Sequence, residues 1–155
     1  MMSPQLQQIS AQCQEFFTKM GLAVQPELMF EQQDLLKINL RVAEPRLLIG
    51  QRGQTLLELQ HLLRLLLRKL LPEHCHLELD VNDYKRKKIN YLHELAQELA
   101  QEVAATKTEK ELPPMPAFER RVIHEAITGN ANVITESIGE GENRRVVLKP
   151  QRQSV

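Results

Sequence analysis

Two glycines set three residues apart, Gly50 and Gly53, fall between two helical patterns and constrain the first half of the chain more than any other feature. Pro45 opens a short helical turn through Leu47, Leu48 and Ile49, which stops at Gly50. A second helix begins near Gly53 or Gln54 and runs to about Leu71, ahead of Pro72. Without Cβ atoms the linking backbone can take left-handed angles and come close to a ligand. The free N–H groups and the positive dipole end of the second helix face the same turn, a place suited to a phosphate. Arg52 adds a positive charge there, and Gln51 and Gln54 add hydrogen-bonding groups. Gly-x-x-Gly is a short pattern, and a plain helix–glycine–helix corner satisfies it equally well.

The flanking segments supply context. Residues 5–20 read as a helix, with Leu6, Ile9, Cys13, Phe16, Phe17 and Met20 at spacings of three and four. Residues 22–31 and 34–42 read as two strands of a hairpin closed around Gln32 and Gln33. His74 to Asn82 reads as a third strand, with Cys75, Leu77, Leu79 and Val81 on one face. Asn82 or Asp83 can cap a long helix from Tyr84 to about Ala105. A loop over residues 106–116 carries a short strand at Lys110 to Leu112. A helix from Pro116 to Thr128 follows, then a hairpin of Val133 to Ile138 and Arg144 to Lys149. The order predicts a mixed α+β chain of two small modules, residues 1–83 and 84–150, joined by the long helix and followed by a polar, frayed tail at 151–155.

Composition limits the functions open to such a chain. A hydrophobic fraction of 42% is enough for packed cores. The absence of Trp and the presence of only six aromatic residues argue against a surface built mainly on stacked bases. Twenty basic and twenty acidic residues cancel, so any affinity for nucleic acid must come from local clusters. Cys13 and Cys75 are too few for a disulfide framework, and residues 1–14 lack a signal pattern. No apolar run approaches the roughly 20 residues that span a bilayer, so the cytosol is the expected compartment. His74-Cys75-His76 on a strand would place the cysteine opposite the two histidines, so no metal site is expected.

A second constellation lies in the helix Phe118-Glu119-Arg120-Arg121-Val122-Ile123-His124. Arg120 and His124 are one turn apart on one face, and a guanidinium with an imidazole can hold a phosphate through several donors. A satisfied core or surface histidine is the plainer alternative. Phe118, Val122, Ile123 and Ala126 are expected to pack inward. Lys85-Arg86-Lys87-Lys88 open the long helix, where cations oppose the dipole at about a few tenths of a kcal/mol each. Either solubility or a track of phosphates accounts for them. On the helix after the glycines, Leu56, Leu59, Leu62, Leu63, Leu66, Leu67 and Leu70 are expected on one broad face, with Leu57 and Leu65 outside it. No convergent nucleophile, base or metal set is evident, so catalysis is not expected; an Arg120/His124 ribonuclease is the enzymatic alternative and a protein scaffold the third.

The stretch Ile49-Gly50-Gln51-Arg52-Gly53-Gln54-Thr55-Leu56-Leu57-Glu58-Leu59-Gln60 resembles the KH-type domain of the bacterial Jag family, also known as SpoIIIJ-associated or KhpB-type proteins. The element order is similar to the type II arrangement, in which the extra helix and strand come first. Arg120-x-x-x-His124 resembles the signature of the small single-strand-binding domain named for its Arg and His, the R-three-H domain. Thr135-x-Ser137-x-Gly139-Glu140 with Arg144-Arg145-Val146-Val147 and Pro150 looks like its strand pair. The two matches cover most of residues 34–150. The resemblance implies a post-transcriptional regulator or RNA chaperone that needs no cofactor. It implies that Gly50 to Gln54 clamp the backbone of single-stranded RNA or DNA and that Arg121, Arg144 or Arg145 assist Arg120 and His124. It also allows a homodimer or a pairing with another KH protein, and links to cell division, envelope growth or sporulation. Many members carry a further Jag-N domain, and the KH-like segment here is expected to stand without it.

Overall fold

The computed structural model describes residues 3–32 and 34–151. The chain divides into two compact units, Met1–Lys85 and Arg86–Val155.

In the first unit, α1 (Pro4–Lys19) starts where the Ser3 hydroxyl accepts the Leu6 N–H at 3.3 Å, and Pro4 occupies the first turn, where no N–H is needed. It buries Ile9, Cys13 and Phe17. Strands β1 (Gln25–Glu31) and β2 (Leu35–Arg41) pair antiparallel from Gln25↔Arg41 to Glu31↔Leu35. Their connection includes Gln33, which lies outside the described residues. Strand β3 (His76–Val81) pairs parallel to β2, in sheet order β1-β2-β3. A parallel pair requires a crossover. Here the crossover is α2 (Pro45–Ile49), the glycine turn and α3 (Gln54–Leu67). Leu36, Ile38 and Leu40 of β2 meet Leu56, Leu59, Leu63 and Leu67 of α3 in one core with Leu77, Leu79 and Val81.

Some boundaries and one cap differ from the sequence expectation: β1 starts at Gln25 rather than at residue 22. Helix α3 stops four residues early, because Leu70 turns back to the Leu67 carbonyl at 2.8 Å in a tighter ring ahead of Pro72. Strand β3 starts at His76 rather than His74, whose φ of 65° leaves the extended region. At the start of α4 (Tyr84–Thr106), the Asp80 carboxylate accepts the Lys85 N–H at 3.3 Å. Asn82 instead ties two segments together: its amide oxygen accepts the Val42 N–H at 3.0 Å and its NH2 donates to the Val42 carbonyl at 2.9 Å. Asp83 accepts from Asn39 at 2.8 Å and from Arg41 at 2.7 Å. Asn82→Ala removes both bonds to Val42 and places alanine at a φ of 49°, which asparagine tolerates better. The expected loss is about 2 kcal/mol in urea unfolding.

In the second unit, α4 continues and packs Leu92, Ala96, Ala100 and Val103 against α5 (Ala117–Ile127) and a sheet of order β4-β6-β5. The strands are β4 (Lys110–Glu111), β5 (Val133–Ile138) and β6 (Arg145–Pro150), all paired antiparallel. Helix α5 is rotated relative to the inward face expected from sequence. Phe118 is 42% exposed, whereas Glu119 is buried at 6%. The Glu119 carboxylate lies 3.7 Å from Lys88 Nζ of α4, which offsets the cost of burying its charge.

Among the described residues no helix is long and apolar enough to cross a membrane.

Candidate nucleic-acid interface

The glycine turn places three of four consecutive residues at positive φ. Gly50 has φ 71° and ψ −175°, Arg52 has φ 54°, and Gly53 has φ 76° and ψ 11°. A Cβ on Gly50 would lie 2.6 Å from Thr55 Cβ and would strike the Thr55 hydroxyl, so glycine is required sterically as well as conformationally. A Cβ on Gly53 would meet only the Tyr84 ring, at 3.7 Å. No side chain caps α3 at Gly53, so the first amides of that helix open onto the turn. Arg52 in the left-handed region costs about 1 kcal/mol, and such strain persists where something else holds it. Gln51, Arg52 and Gln54 are exposed. The Gln54 amide donates down its own helix to Glu58 at 3.1 Å.

The basic cluster at the start of α4 does not act as one group. Lys85 belongs to the first unit and pairs with Glu78 at 3.3 Å. Lys88 belongs to the second unit and turns toward Glu119 and the Tyr91 ring. Arg86 and Lys87 are exposed.

In the second unit the structure brings Arg120 and His124 together with β5. Thr135 and Ser137, two residues apart on a strand, point to one face and take the two ring nitrogens of His124. Nδ1 lies 2.6 Å from Thr135 Oγ1 and Nε2 lies 2.7 Å from Ser137 Oγ. A neutral ring satisfies this arrangement by donating to one hydroxyl and accepting from the other. Burial, and then the neighbouring Arg120 charge, push the His124 pKa below its ordinary 6.5. Arg120 Nη1 is buried and has no hydrogen-bond partner among the described residues. That nitrogen is a donor the fold leaves unsatisfied, and a buried polar group of this kind calls for an explanation such as a bound partner.

The remaining arginines are placed differently. Arg121 is exposed, about 100° round the helix from Arg120. Arg144 donates to the Gly139 carbonyl at 2.9 Å and so holds the hairpin turn. Arg145 forms an ion pair with Glu111. Sequence reasoning missed this pairing, and it did not assign Thr135 and Ser137 as the partners of His124; the period-two pair of hydroxyls is the signal for the latter.

His124 makes stability depend on pH. Its folded pKa is lower than its unfolded value, so the fold favours the neutral ring. That contribution is fully present above about pH 6.5 and erodes as pH falls from there to the folded pKa, below which it changes no further. A thermal midpoint that drops between pH 7.5 and 5, with the drop reduced in His124→Gln, is the expected result.

The R-three-H domain family matches residues 90–150. The chain is 33% identical over 142 residues to the RNA-binding protein KhpB of Clostridium symbiosum, covering 91% of this chain and 64% of the relative. It is 37% identical over 124 residues to the RNA-binding protein KhpB of Bacillus subtilis (strain 168), covering 79% and 60% respectively. The chain therefore carries an R-three-H domain and is similar to these KhpB proteins over most of its own length. It spans somewhat under two thirds of the length of these two KhpB relatives, and 34% of the longer KhpB of Lactiplantibacillus plantarum, to which it is 37% identical over 111 residues. The matched R-three-H segment contains Arg120, Arg121, His124, Thr135, Ser137, Arg144 and Arg145, all within the second unit. Among the described residues no group of three or more His, Cys, Asp or Glu side chains could hold a metal ion.

Proposed function

We propose that this chain belongs to the Jag family and binds single-stranded RNA without cleaving it, as a cytosolic post-transcriptional regulator or RNA chaperone. The observation that carries this is the buried, unpartnered Arg120 guanidinium nitrogen beside His124. Both relatives are named RNA-binding protein KhpB, which supports it. In this proposal residues 1–83 are a KH-like module of type II order, supported by the succession helix, strand, strand, helix, helix, strand. Residues 84–150 are the R-three-H module with its leading helix, and 151–155 a tail, of which 152–155 lie outside the described residues. Gly50 and Gly53 admit a backbone phosphate to the α3 amides, with Arg52 and Gln51 beside it. Gln54 contributes through its backbone more than its side chain, which bonds Glu58. In the second unit Arg120 takes a phosphate, His124 joins it once a ring nitrogen leaves Thr135 or Ser137, and Arg121 adds charge. Lys85, Arg86, Lys87 and Lys88 contribute affinity without base specificity, with Arg86 and Lys87 the stronger contributors because they are exposed. Arg144 and Arg145 mainly shape the strand face, given their partners Gly139 and Glu111.

Binding is coupled to protons. A phosphate near His124 raises its pKa, so affinity rises as pH falls through the bound-state pKa and levels off below the free-state pKa. Fluorescence anisotropy with a labelled 12-nucleotide RNA between pH 8 and 5.5 tests this, and a His124→Ala variant with an unaltered pH profile would count against it. The same samples, resolved on a denaturing gel, test cleavage: acid–base hydrolysis needs two positioned groups, and His124 has both nitrogens bonded to neutral hydroxyls.

A pairing surface is a second element of the proposal. Leu62 and Leu66, expected in the core, are 49% and 44% exposed, and with Leu57 and Leu65 they leave α3 with an uncovered apolar flank. A second copy running antiparallel sets Glu58 near the partner's end that carries Arg64 and Arg68 in this sequence. Sedimentation at micromolar concentration is expected to show a dimer that Leu57→Glu dissociates, while a monomer throughout would leave another KH protein as the pairing partner.

A further inference from the structure

The chain holds six aromatic side chains, and four of them, Phe16, Phe17, Phe30 and Tyr84, are buried in or packed against the first core. The other two, Tyr91 and Phe118, are 56% and 42% exposed and both lie in the second unit. Tyr91 sits beside an ion pair, and Phe118 is the chain neighbour of its acidic member. Lys88 Nζ is 5.7 Å from the Tyr91 ring centroid and 3.7 Å from the Glu119 carboxylate, and Phe118 precedes Glu119 in the chain. Glu119 is turned inward, which forces its neighbour Phe118 outward on α5.

Charge is segregated along the same helix pair. Lys88 of α4 meets Glu119 of α5, and nine residues on, Gln97 donates to the Ala126 carbonyl at 2.8 Å, so the two helices run in the same general direction. Their shared N-terminal end carries Arg86, Lys87, Lys88 and Arg121; further along lie Glu94, Glu98, Glu102 and Glu125. Cations at helix N-termini oppose the dipole, so this arrangement is unfavourable for the isolated fold. Two exposed rings amid exposed cations are the chemistry that receives an unpaired base with its phosphate.

We infer that Tyr91 and Phe118, flanked by Lys87 and Arg121, form a base-stacking platform for single-stranded nucleic acid. It lies on a different face of α5 from the Arg120–His124 phosphate site, since Phe118 and Arg120 are two residues, about 200°, apart on the helix. The platform rests on the proposed RNA binding and extends it: one face of the second unit takes backbone charge and another takes bases. It is tolerant of base identity, because stacking uses the π-face that every base has.

The test compares the wild-type chain with a Tyr91→Leu/Phe118→Leu double variant. Leucine keeps apolar surface and helix propensity while removing the rings. Each protein is titrated into a fluorescein-labelled 12-nucleotide adenine-rich RNA and into an abasic oligonucleotide of the same length. The expected result is a loss of about 10-fold or more for the RNA and no change for the abasic strand. A Tyr91→Phe single variant retains wild-type affinity, because the ring is kept. Equal RNA affinity in wild type and the double variant overturns the platform and leaves the RNA-binding proposal standing. An equal loss on RNA and abasic strand also overturns it, since the rings then act on the backbone or the fold. No binding of either strand by the wild type overturns both proposals.

Discussion

Arg120→Met is expected to weaken binding of single-stranded RNA by about 10- to 100-fold while leaving the thermal midpoint unchanged or slightly raised. The loss follows from removing a charge-assisted hydrogen bond worth about 1.5–3 kcal/mol. The stability result follows from the free protein, in which Arg120 Nη1 is buried without a partner among the described residues. Deleting an unsatisfied buried donor relieves a cost of folding, and methionine keeps the apolar stem in place. The same variant raises the pKa of His124, whose protonation the Arg120 charge opposes. An NMR titration of the ring reports that shift directly. An arginine serving only the fold would give the reverse pattern, a lower midpoint with little effect on affinity. Lysine at 120 is expected to restore part of the affinity, because it supplies charge without the planar fork.

The second large effect is on stability. Gly50→Ala is expected to destabilise the first unit by about 3 kcal/mol or more, seen as an earlier urea transition. The new methyl meets Thr55 Cβ at 2.6 Å and the Thr55 hydroxyl, and the residue is held at φ 71°. Thr55→Gly in the same chain is expected to recover part of the loss by clearing that space. Gly53→Ala is expected to cost about 1 kcal/mol, because it bears only the left-handed backbone and an ordinary contact with Tyr84. The two glycines therefore differ in kind: Gly50 permits the close seat of Thr55, while Gly53 permits the turn into α3.

Much of this was legible in the sequence because it is local. Alternation across Leu36, Ile38 and Leu40 set the register of β2, and Pro45, Gly50, Gly53 and Pro72 set the crossover. Arg120 and His124 share a face by simple helical spacing. What was not legible depends on partners distant in the chain. Phe118 looked like a core residue until Lys88, thirty-one positions before Glu119, drew that carboxylate inward. Asn82 looked like a cap until it bonded Val42, forty positions away, and Asp80 took the first turn of α4. Leu62 and Leu66 fit an apolar stripe, yet the sheet beneath α3 covers only the narrower line of Leu56, Leu59, Leu63 and Leu67. The net charge of zero concealed the local cations because the twenty carboxylates that cancel them are spread along the whole chain.

The central claim is that the chain binds single-stranded RNA through phosphate contacts and releases it unchanged. Its most direct test is an anisotropy titration of the full chain with a 12-nucleotide RNA at several salt concentrations, followed by recovery of the RNA on a denaturing gel. The expected result is saturable binding, intact RNA, and log K falling linearly with log salt by about 0.7 per phosphate neutralised. Absence of binding at low salt, or cleavage that disappears in His124→Ala, would contradict it.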